Sequence, residues 1–399
     1  MIEASIVDER PARTPAGETA RHLKLSGHVP ALDGLRGLAI ILVLLRHFTP
    51  QGEGHSLVGA IVKAIASLGN SGVDLFFVLS GFLITGILDD ARGSAHYFRN
   101  FYARRTLRIF PLYYGVLIIC FLLVPLVHPF GPEELRVADN QGWLWLYGTN
   151  IKESFIGAYY PFSGGWITMD HFWSLAVEEH FYLVWPLVVW LLSRRAAIGA
   201  CFVMIAGAFA LRLWLYLKQV DSMAFYHLTP CRMDELAIGA LLALVAREKW
   251  HTRWLSTASL IVLPLSLGVL MITWKTEFRE CVIGGTLLGM FFASLLVIVL
   301  TCSIRNPVYR LFDARGLKLM GKYSYATYVI HPLLLGTVMR ALSYQKLQGW
   351  THSGLLGVCL FLGIGIVFSV AAAWLSWHLY EKHFLKLKRF FEYRRPAAP

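Results

Sequence analysis

The sequence predicts an all-α, polytopic integral membrane protein with about ten transmembrane helices. Three observations support this fold class: 56% of the 399 residues are hydrophobic, only 16% are charged, and the mean hydropathy is +0.54. Soluble domains rarely combine these values. A helix that spans a membrane needs about 20 apolar residues, and the chain is rich in such stretches.

Ten stretches are long and apolar enough to be predicted as spans. The second and the sixth are short and contain glycine, so either is a candidate for a broken or re-entrant helix. In chain order, the predicted spans lie near residues 32–50, 72–88, 109–127, 166–192, 197–217, 234–248, 255–274, 282–301, 323–341 and 354–378.

The basic residues are distributed unevenly between the two sides of the membrane. The chain carries 37 Lys and Arg against 25 Asp and Glu, a formal net charge of +12. With the N-terminus inside, 25 of the 37 basic residues fall on the cytoplasmic side, 9 on the outer side and 3 within spans. This asymmetry follows the positive-inside rule. It predicts that both termini are cytoplasmic, and it argues against nucleic acid as a partner.

The two ends of the chain are polar. No apolar stretch follows a basic start within residues 1–29, so we expect a disordered cytoplasmic tail there and not a cleaved signal peptide. Residues 30–390 form the predicted membrane domain, and residues 391–399 form a second cytoplasmic tail. The 6 cysteines are scattered without a Cys-x-x-Cys pair, so neither a disulfide framework nor a metal site is predicted.

The first span carries an arginine and a histidine eleven residues apart, Arg36 and His47. That separation corresponds to about 1100° of helix rotation and roughly 16 Å of rise, so both side chains lie on one face. Arg36 is then near one membrane surface and His47 deep in the span. An ionisable group inside a bilayer is costly and therefore a functional candidate. Taken alone, a contact with a neighbouring helix explains His47 equally well.

Arg105 and Arg108 lie three residues apart at the cytoplasmic end of the third span, and hence on one helix face. Arginines at this position are typical of positive-inside anchoring. However, Arg36 enters the membrane from the same side, and several guanidinium groups together match phosphate groups. The three arginines are therefore candidates for binding a polyanionic nucleotide.

The fourth span contains two adjacent carboxylates and a histidine, Glu178, Glu179 and His180. Such a group inside a membrane is difficult to explain by structure alone. Glu178 lies about 9 Å from the outer end of the span, at a depth similar to that of His47. A carboxylate beside a histidine orients the imidazole as a general base or binds an acceptor hydroxyl.

Weaker polar positions occur at the ends of other spans. Asp74 opens the second span, where a role as a helix cap or dipole partner explains this single residue better than substrate binding does. Arg232 lies with two acidic neighbours where the sixth span begins. His331 lies beside Pro332 in the inner half of the ninth span, where a tie between helices is as good an explanation as chemistry.

Taken together, these segments resemble the acyltransferase-3 family of polytopic membrane acyltransferases over residues 30–390. Such proteins move an acyl group, usually acetyl from acetyl-CoA, onto a hydroxyl. Their acceptors include envelope polysaccharides, lipopolysaccharide, nodulation factors and macrolides. The motifs that carry the resemblance are, in order, Leu32–Gly37 with Arg36-x10-His47, Gly72–Phe82, Arg105-x-x-Arg108-Ile109-x-Pro111, Trp173–Glu179, and Ser324-Tyr325 through His331-Pro332.

The resemblance implies roles for particular residues. His47 and Glu178 are the implied catalytic pair, and Arg36, Arg105 and Arg108 the implied ligands of the acyl donor. We further predict that the acceptor contacts Asp74, Glu179, His180 and Arg232. His180 stands where the family usually has glutamine. Because the last predicted span is followed by 21 residues, we expect the acceptor to meet the membrane domain itself.

The sequence thus favours an O-acyltransferase of the cell (inner) membrane that uses acyl-CoA and a glycan, glycolipid or similar acceptor. Either His47 deprotonates the acceptor hydroxyl, oriented by a carboxylate such as Glu178, or His47 carries the acyl group transiently. A transporter or flippase of lipid-linked glycans also needs intramembrane charges and broken helices. It predicts internal repeats, and the sequence contains none. Charged residues inside the spans argue against a silent scaffold.

Overall fold

A computed structural model describes residues 29–393 except 50–63, 65, 157–160, 221, 249–251 and 275. Most of the predicted N-terminal tail and residues 394–399 of the predicted C-terminal tail lie outside the described residues. The described chain is mainly α-helical, which confirms the predicted all-α class. Its described β-structure is one antiparallel hairpin, in which Ser163 pairs with Thr168.

The elements of the first half of the chain are α1 (Pro30–Phe48), α2 (Ser71–Asp90), α3 (Tyr97–Ile118), α4 (Pro132–Asp139), α5 (Gln141–Trp145), α6 (Thr149–Ile156), β1 (Ser163–Gly164), β2 (Ile167–Thr168) and α7 (Phe172–Leu191). The helices of the second half are α8 (Arg194–Leu217), α9 (Ser222–His227), α10 (Thr229–Val245), α11 (Thr252–Ile272), α12 (Gly284–Thr301), α13 (Pro307–Phe312), α14 (Arg315–Ala341), α15 (Tyr344–Thr351), α16 (Gly354–Ser376) and α17 (Lys382–Lys386). Short π- or 3₁₀-helical segments extend these helices at Ile119–Leu123, Val124–Leu126, Arg279–Ile283, Trp377–Glu381 and Leu387–Phe391.

Six helical segments of the described chain are long and apolar enough to cross a membrane. They are Ala66–Asp90, Tyr97–Leu126, Arg194–Leu217, Trp254–Ile272, Arg279–Thr301 and Gly354–Phe391. Helices α1, α7, α10 and α14 fall outside this set, and the first three of them carry six of the nine predicted site residues. The six segments agree with a multi-pass membrane protein, whereas the count of ten stays a prediction.

The structure moves several predicted boundaries. Helix α3 begins at Tyr97, well before the predicted start near residue 109, because arginine is a good helix former and the basic segment continues the helix. Helix α7 begins at Phe172 and not near residue 166, because the β-hairpin occupies the preceding residues. Helix α14 begins at Arg315, before the predicted start near residue 323.

Helices α1 and α14 approach each other unusually closely. A Cβ atom added to Gly37 would lie 2.0 Å from the backbone oxygen of Leu317, and one added to Gly321 would lie 1.8 Å from that of Asp33. Only glycine permits two helix backbones to come this close. This approach brings the site residues of α1 beside those of α14.

Candidate active site

Three neighbouring cavities lie among the predicted site residues. The first, here the carboxylate cavity, has a volume of about 130 Å³. Its polar lining residues are Arg36, Ser80, Arg105, Arg108, Ser174, Glu178, Glu179, Tyr182, Ser324, Tyr325 and Tyr328. It therefore contains the three predicted donor arginines together with both carboxylates of α7.

Glu178 is held in the carboxylate cavity by hydroxyl groups. The Tyr182 hydroxyl, one helical turn further along α7, donates to Glu178 Oε2 at 3.2 Å. The same hydroxyl forms a short hydrogen bond with Ser80 Oγ of α2. The Arg105 guanidinium lies 4.8 Å from the centre of the Tyr182 ring. This arrangement holds Glu178 in the lining of the cavity, together with the arginines.

Glu179 points to a different side of α7. Among the described residues, its Oε1 atom is buried without a hydrogen-bond partner. Its electrostatic neighbours include four tyrosines, Tyr113, Tyr114, Tyr147 and Tyr325. A buried carboxylate oxygen without a partner is costly, so this position suits a bound polar group.

The second cavity, here the basic funnel, has a volume of about 800 Å³. Arg36, Arg105 and Arg108 line both the basic funnel and the carboxylate cavity. The further charged residues of the funnel are Asp33, Arg104, Arg315, Lys318, Lys322 and Lys388. Asp33 pairs with Arg36 at 3.1 Å, so most of the positive charge in the funnel has no acidic lining residue to balance it. Such a site attracts polyanions.

The third cavity, here the histidine cavity, has a volume of about 620 Å³ and contains His47. Its titratable and aromatic lining residues are Arg46, His47, Asp170, His171, Trp173, Phe225, Tyr226, His227, Glu277, Glu280, Cys281 and Tyr328. The Nδ1 atom of His47 lies 2.9 Å from the Val43 carbonyl oxygen. A carbonyl only accepts, so Nδ1 carries the proton and Nε2 keeps a free lone pair. That lone pair is what a general base or a nucleophile needs.

Two further histidines adjoin His47. The ring of His331 lies 4.8 Å from that of His47, and the ring of His171 lies 5.4 Å from that of His331, centroid to centroid. His331 is fully buried, and Nδ1 binds the carbonyl oxygens of Thr327 and Tyr328. In the described chain, no group of three or more His, Cys, Asp or Glu residues is arranged to hold a metal ion.

The structure does not bring His47 and Glu178 into one cavity. Glu178 lines the carboxylate cavity and His47 the histidine cavity, while Val73 and Tyr328 line both. The Val43 carbonyl, and not a carboxylate, binds Nδ1 of His47. The two cavities therefore adjoin at Val73 and Tyr328, with Glu178 on one side and His47 on the other.

Asp74 and Arg232 bind each other. Arg232 Nη2 donates to Asp74 Oδ1 at 2.7 Å and also pairs with Glu235 at 3.0 Å. All three side chains are buried, and neither Asp74 nor Arg232 lines one of the three cavities. A second buried pair, Arg212 of α8 with Asp234 of α10 at 2.6 Å, joins a different pair of helices. These ion pairs tie helices together. They also give each buried charge the opposite charge that it needs away from water.

His180 of α7 contacts a cluster of buried polar residues that lie outside the predicted spans. Its Nδ1 atom is 2.7 Å from Thr229 Oγ1, which also accepts from Asn150.

Nearby, Glu153 of α6 and His227 of α9 approach to 3.4 Å. Burial raises the pKa of Glu153 to about 10, with a further contribution from Asp170. Burial and the positive charge of Arg232 lower the pKa of His227 to about 3. Both groups are therefore neutral near pH 7.

Several residues that lie in or beside the cavities were not among the predicted site residues. His171 and His331 adjoin His47, while Arg315, Lys318, Lys322 and Lys388 line the basic funnel. His331 had the signal of a histidine beside Pro332, but its position relative to His47 depends on the packing of α1 against α14. His331 was predicted in the inner half of the ninth span; the helix begins earlier than expected, at Arg315, and His331 lies level with His47.

Comparison with known proteins identifies a family. The family described as acyltransferase domain matches residues 29–378 of this chain. The chain is 28% identical over 331 residues to the peptidoglycan O-acetyltransferase OatA of Listeria monocytogenes, which covers 76% of this chain and 49% of that protein. It is 26% identical over 330 residues to the O-acetyltransferase OatA of Staphylococcus aureus, at 76% and 50%. The chain thus spans about half the length of these relatives. No solved structure matches it.

Proposed function

This chain belongs to the acyltransferase-3 family of acyltransferase domains, and on that premise we propose that it is a membrane O-acetyltransferase. The donor is acetyl-CoA and the acceptor is a hydroxyl group of a glycan, glycolipid or similar molecule. The relatives named for peptidoglycan O-acetylation support a carbohydrate acceptor.

The observation that carries the proposal is the shared lining of the basic funnel and the carboxylate cavity. Arg36, Arg105 and Arg108 line both. Acetyl-CoA has phosphates at one end and a thioester at the other. With its phosphates on the arginines, the thioester lies in the carboxylate cavity, because guanidinium groups bind phosphate strongly and apolar walls receive the pantetheine arm.

The acceptor binds in the histidine cavity. Trp173 and Tyr226 offer apolar ring faces, and Asp170 and Glu277 offer carboxylates that accept hydrogen bonds from hydroxyls. A few placed polar groups among aromatic side chains are typical of a small-molecule site. The acceptor hydroxyl then meets the Nε2 lone pair of His47.

Transfer follows from these positions. His47 Nε2 takes the hydroxyl proton while the hydroxyl oxygen attacks the thioester carbonyl, where the two cavities adjoin at Val73 and Tyr328. The carbon–sulfur bond breaks, and the departing CoA thiolate takes up a proton from Glu178. An acetyl-histidine intermediate would use the same Nε2 lone pair. The two routes can be distinguished by withholding the acceptor. Only the acetyl-histidine route then leaves labelled acetyl on the protein.

We propose the following arrangement of the helices in the membrane. Helices α1, α7, α10 and α14 join the six apolar segments as spans, giving about ten, with both termini in the cytoplasm and the domain embedded in the cell membrane. Their polar residues face the cavities or pair with each other, as intramembrane charges do. The basic funnel then opens to the cytoplasm, where acetyl-CoA is made.

The test is release of free thiol from acetyl-CoA by the purified protein in liposomes, with and without soluble glycan fragments. We expect acceptor-dependent thiol release and an acetyl ester on the glycan, detected by mass spectrometry. Movement of a glycan across the bilayer without thiol release would instead support a transporter. Absence of thiol release with every glycan class supplied would refute the proposed activity.

A further inference from the structure

The chain continues past the end of the family match at residue 378, and this extension folds back onto the site. It comprises α17 and the 3₁₀-helical segment Leu387–Phe391, here together with residues 392–393 called the C-terminal segment. Two side chains of α3 bind its backbone. Arg104 donates to the carbonyls of Lys388 and Phe391 at 3.1 and 3.3 Å, and Asn100 donates to that of Glu392 at 2.9 Å.

These contacts place one lysine of the C-terminal segment in the basic funnel. Lys388 and Tyr393 are lining residues of the funnel. Lys386, two residues earlier, is exposed and does not line it. The C-terminal segment therefore contributes one specific cation to the funnel and not a general basic surface.

The position of Lys388 differs from that of the three donor arginines. Arg36, Arg105 and Arg108 line both the funnel and the carboxylate cavity, whereas Lys388 lines the funnel alone. Acetyl-CoA is a linear molecule in which the thioester is followed by pantetheine, the diphosphate and then the 3′-phosphorylated ribose. A donor whose thioester lies in the carboxylate cavity presents its diphosphate to the arginines first and its 3′-phosphate further out.

The charge of the funnel leaves a site for that outer phosphate. Besides Lys388, four other cations line the funnel but not the carboxylate cavity. One of these four, Lys318, is paired with Asp313 at 2.7 Å. Arg104 is engaged with the backbone of the C-terminal segment. Lys388 is half-buried among these cations, and Asp33, the acidic residue of the funnel lining, pairs with Arg36. Repulsion among partly buried cations is relieved when a polyanion binds between them.

We propose that Lys388 binds the 3′-phosphate of coenzyme A, so that the C-terminal segment forms part of the donor site. This inference rests on the proposed function, since it takes acetyl-CoA as the donor. It assigns a ligand contact to a part of the chain that lies outside the family match.

The experiment compares binding of CoA and of 3′-dephospho-CoA to the purified full-length protein in detergent by titration calorimetry. We expect wild type to bind CoA about tenfold more tightly than 3′-dephospho-CoA, the size of one charge-assisted contact. In K388Q this preference should disappear through weaker CoA binding, with affinity for 3′-dephospho-CoA unchanged. K388R should keep the preference, and K386Q, a matched change on the same segment, should resemble wild type.

The outcomes separate this inference from the proposed function. If wild type binds CoA and K388Q keeps the full preference for CoA over 3′-dephospho-CoA, the assignment of Lys388 is overturned while the donor proposal stands. If K388Q weakens both ligands equally, Lys388 does not bind the 3′-phosphate, and the assignment is again wrong. If wild type binds neither ligand, acetyl-CoA is not the donor and the proposed function itself fails.

Discussion

The imidazole rings of His47 and His331 meet edge to face, with centroids 4.8 Å apart and planes at 76°. Each ring binds backbone carbonyls of its own helix through Nδ1, so each presents Nε2 without a proton. Nε2 of His331 has no hydrogen-bond partner among the described residues. The pair therefore combines a ring exposed to the histidine cavity with a buried ring that supports it.

Replacing the exposed member of this pair tests the central assignment. His47→Ala removes the proposed base, so acetyl transfer should fall by about 10²–10⁴-fold. Affinity for CoA should be unchanged, because His47 does not line the basic funnel. Turnover is measured by thiol release and folding by thermal unfolding in detergent. Near-normal turnover by a well-folded variant would contradict the assignment.

His331 is expected to act as a positioning residue for His47. His331→Ala leaves a buried void beside His47, and we expect kcat to fall by about tenfold with KM for acetyl-CoA unchanged. His331→Asn keeps a donor near the position of Nδ1 and should recover part of the loss. A purely structural role predicts instead that activity follows melting temperature in both variants, so steady-state kinetics and unfolding are measured together.

The two adjacent carboxylates of α7 should differ in effect. Glu178→Gln keeps an acceptor for the Tyr182 hydroxyl but removes the ionisable group, so we expect kcat to fall by about 10²-fold without weaker CoA binding. Glu179→Gln should be milder, because Glu179 points about 100° around the helix from Glu178. Kinetics of the two variants, side by side, decide between them. The reverse order of effects would exchange their proposed roles.

Glu153 makes stability depend on pH. Its pKa is raised from 4.5 to about 10 by burial. Between these values the folded protein keeps a proton that the unfolded chain has lost, so stability falls as pH rises. Glu153→Gln removes this dependence, and its melting temperature should exceed that of wild type by a margin that grows between about pH 5 and pH 9. Asp139→Asn, at an exposed position, is the control and should show no such trend.

Local sequence patterns predicted the parts of the structure that depend on neighbouring residues. Helical periodicity placed Arg36 and His47 on one helix, which α1 confirms, and the apolar stretches predicted the helical class. The start of α3 was predicted too late, because its first turns are rich in arginine and the prediction followed apolar residues. Apolar residues mark where a helix is buried in lipid and not where its hydrogen bonding begins.

Contacts between distant segments were beyond the reach of such patterns. The pairing of Asp74 with Arg232 joins residues 158 positions apart, and each had looked like an available polar group. His47 was expected beside Glu178 because both lay at a similar depth, but depth does not determine which helices face each other. The contact with His331 arises instead from the glycines that let α1 and α14 approach.

The size of the carboxylate cavity has a consequence for the choice of acyl group. Its volume of about 130 Å³ is close to that of a protein cavity that admits benzene, roughly 150 Å³. With the donor thioester placed there as proposed, an acetyl group fits such a space, whereas a long fatty-acyl chain exceeds its volume. Acyl-CoA substrates whose acyl group is longer by successive methylenes should therefore cease to be turned over after a few added carbons, even though all of them carry the same nucleotide.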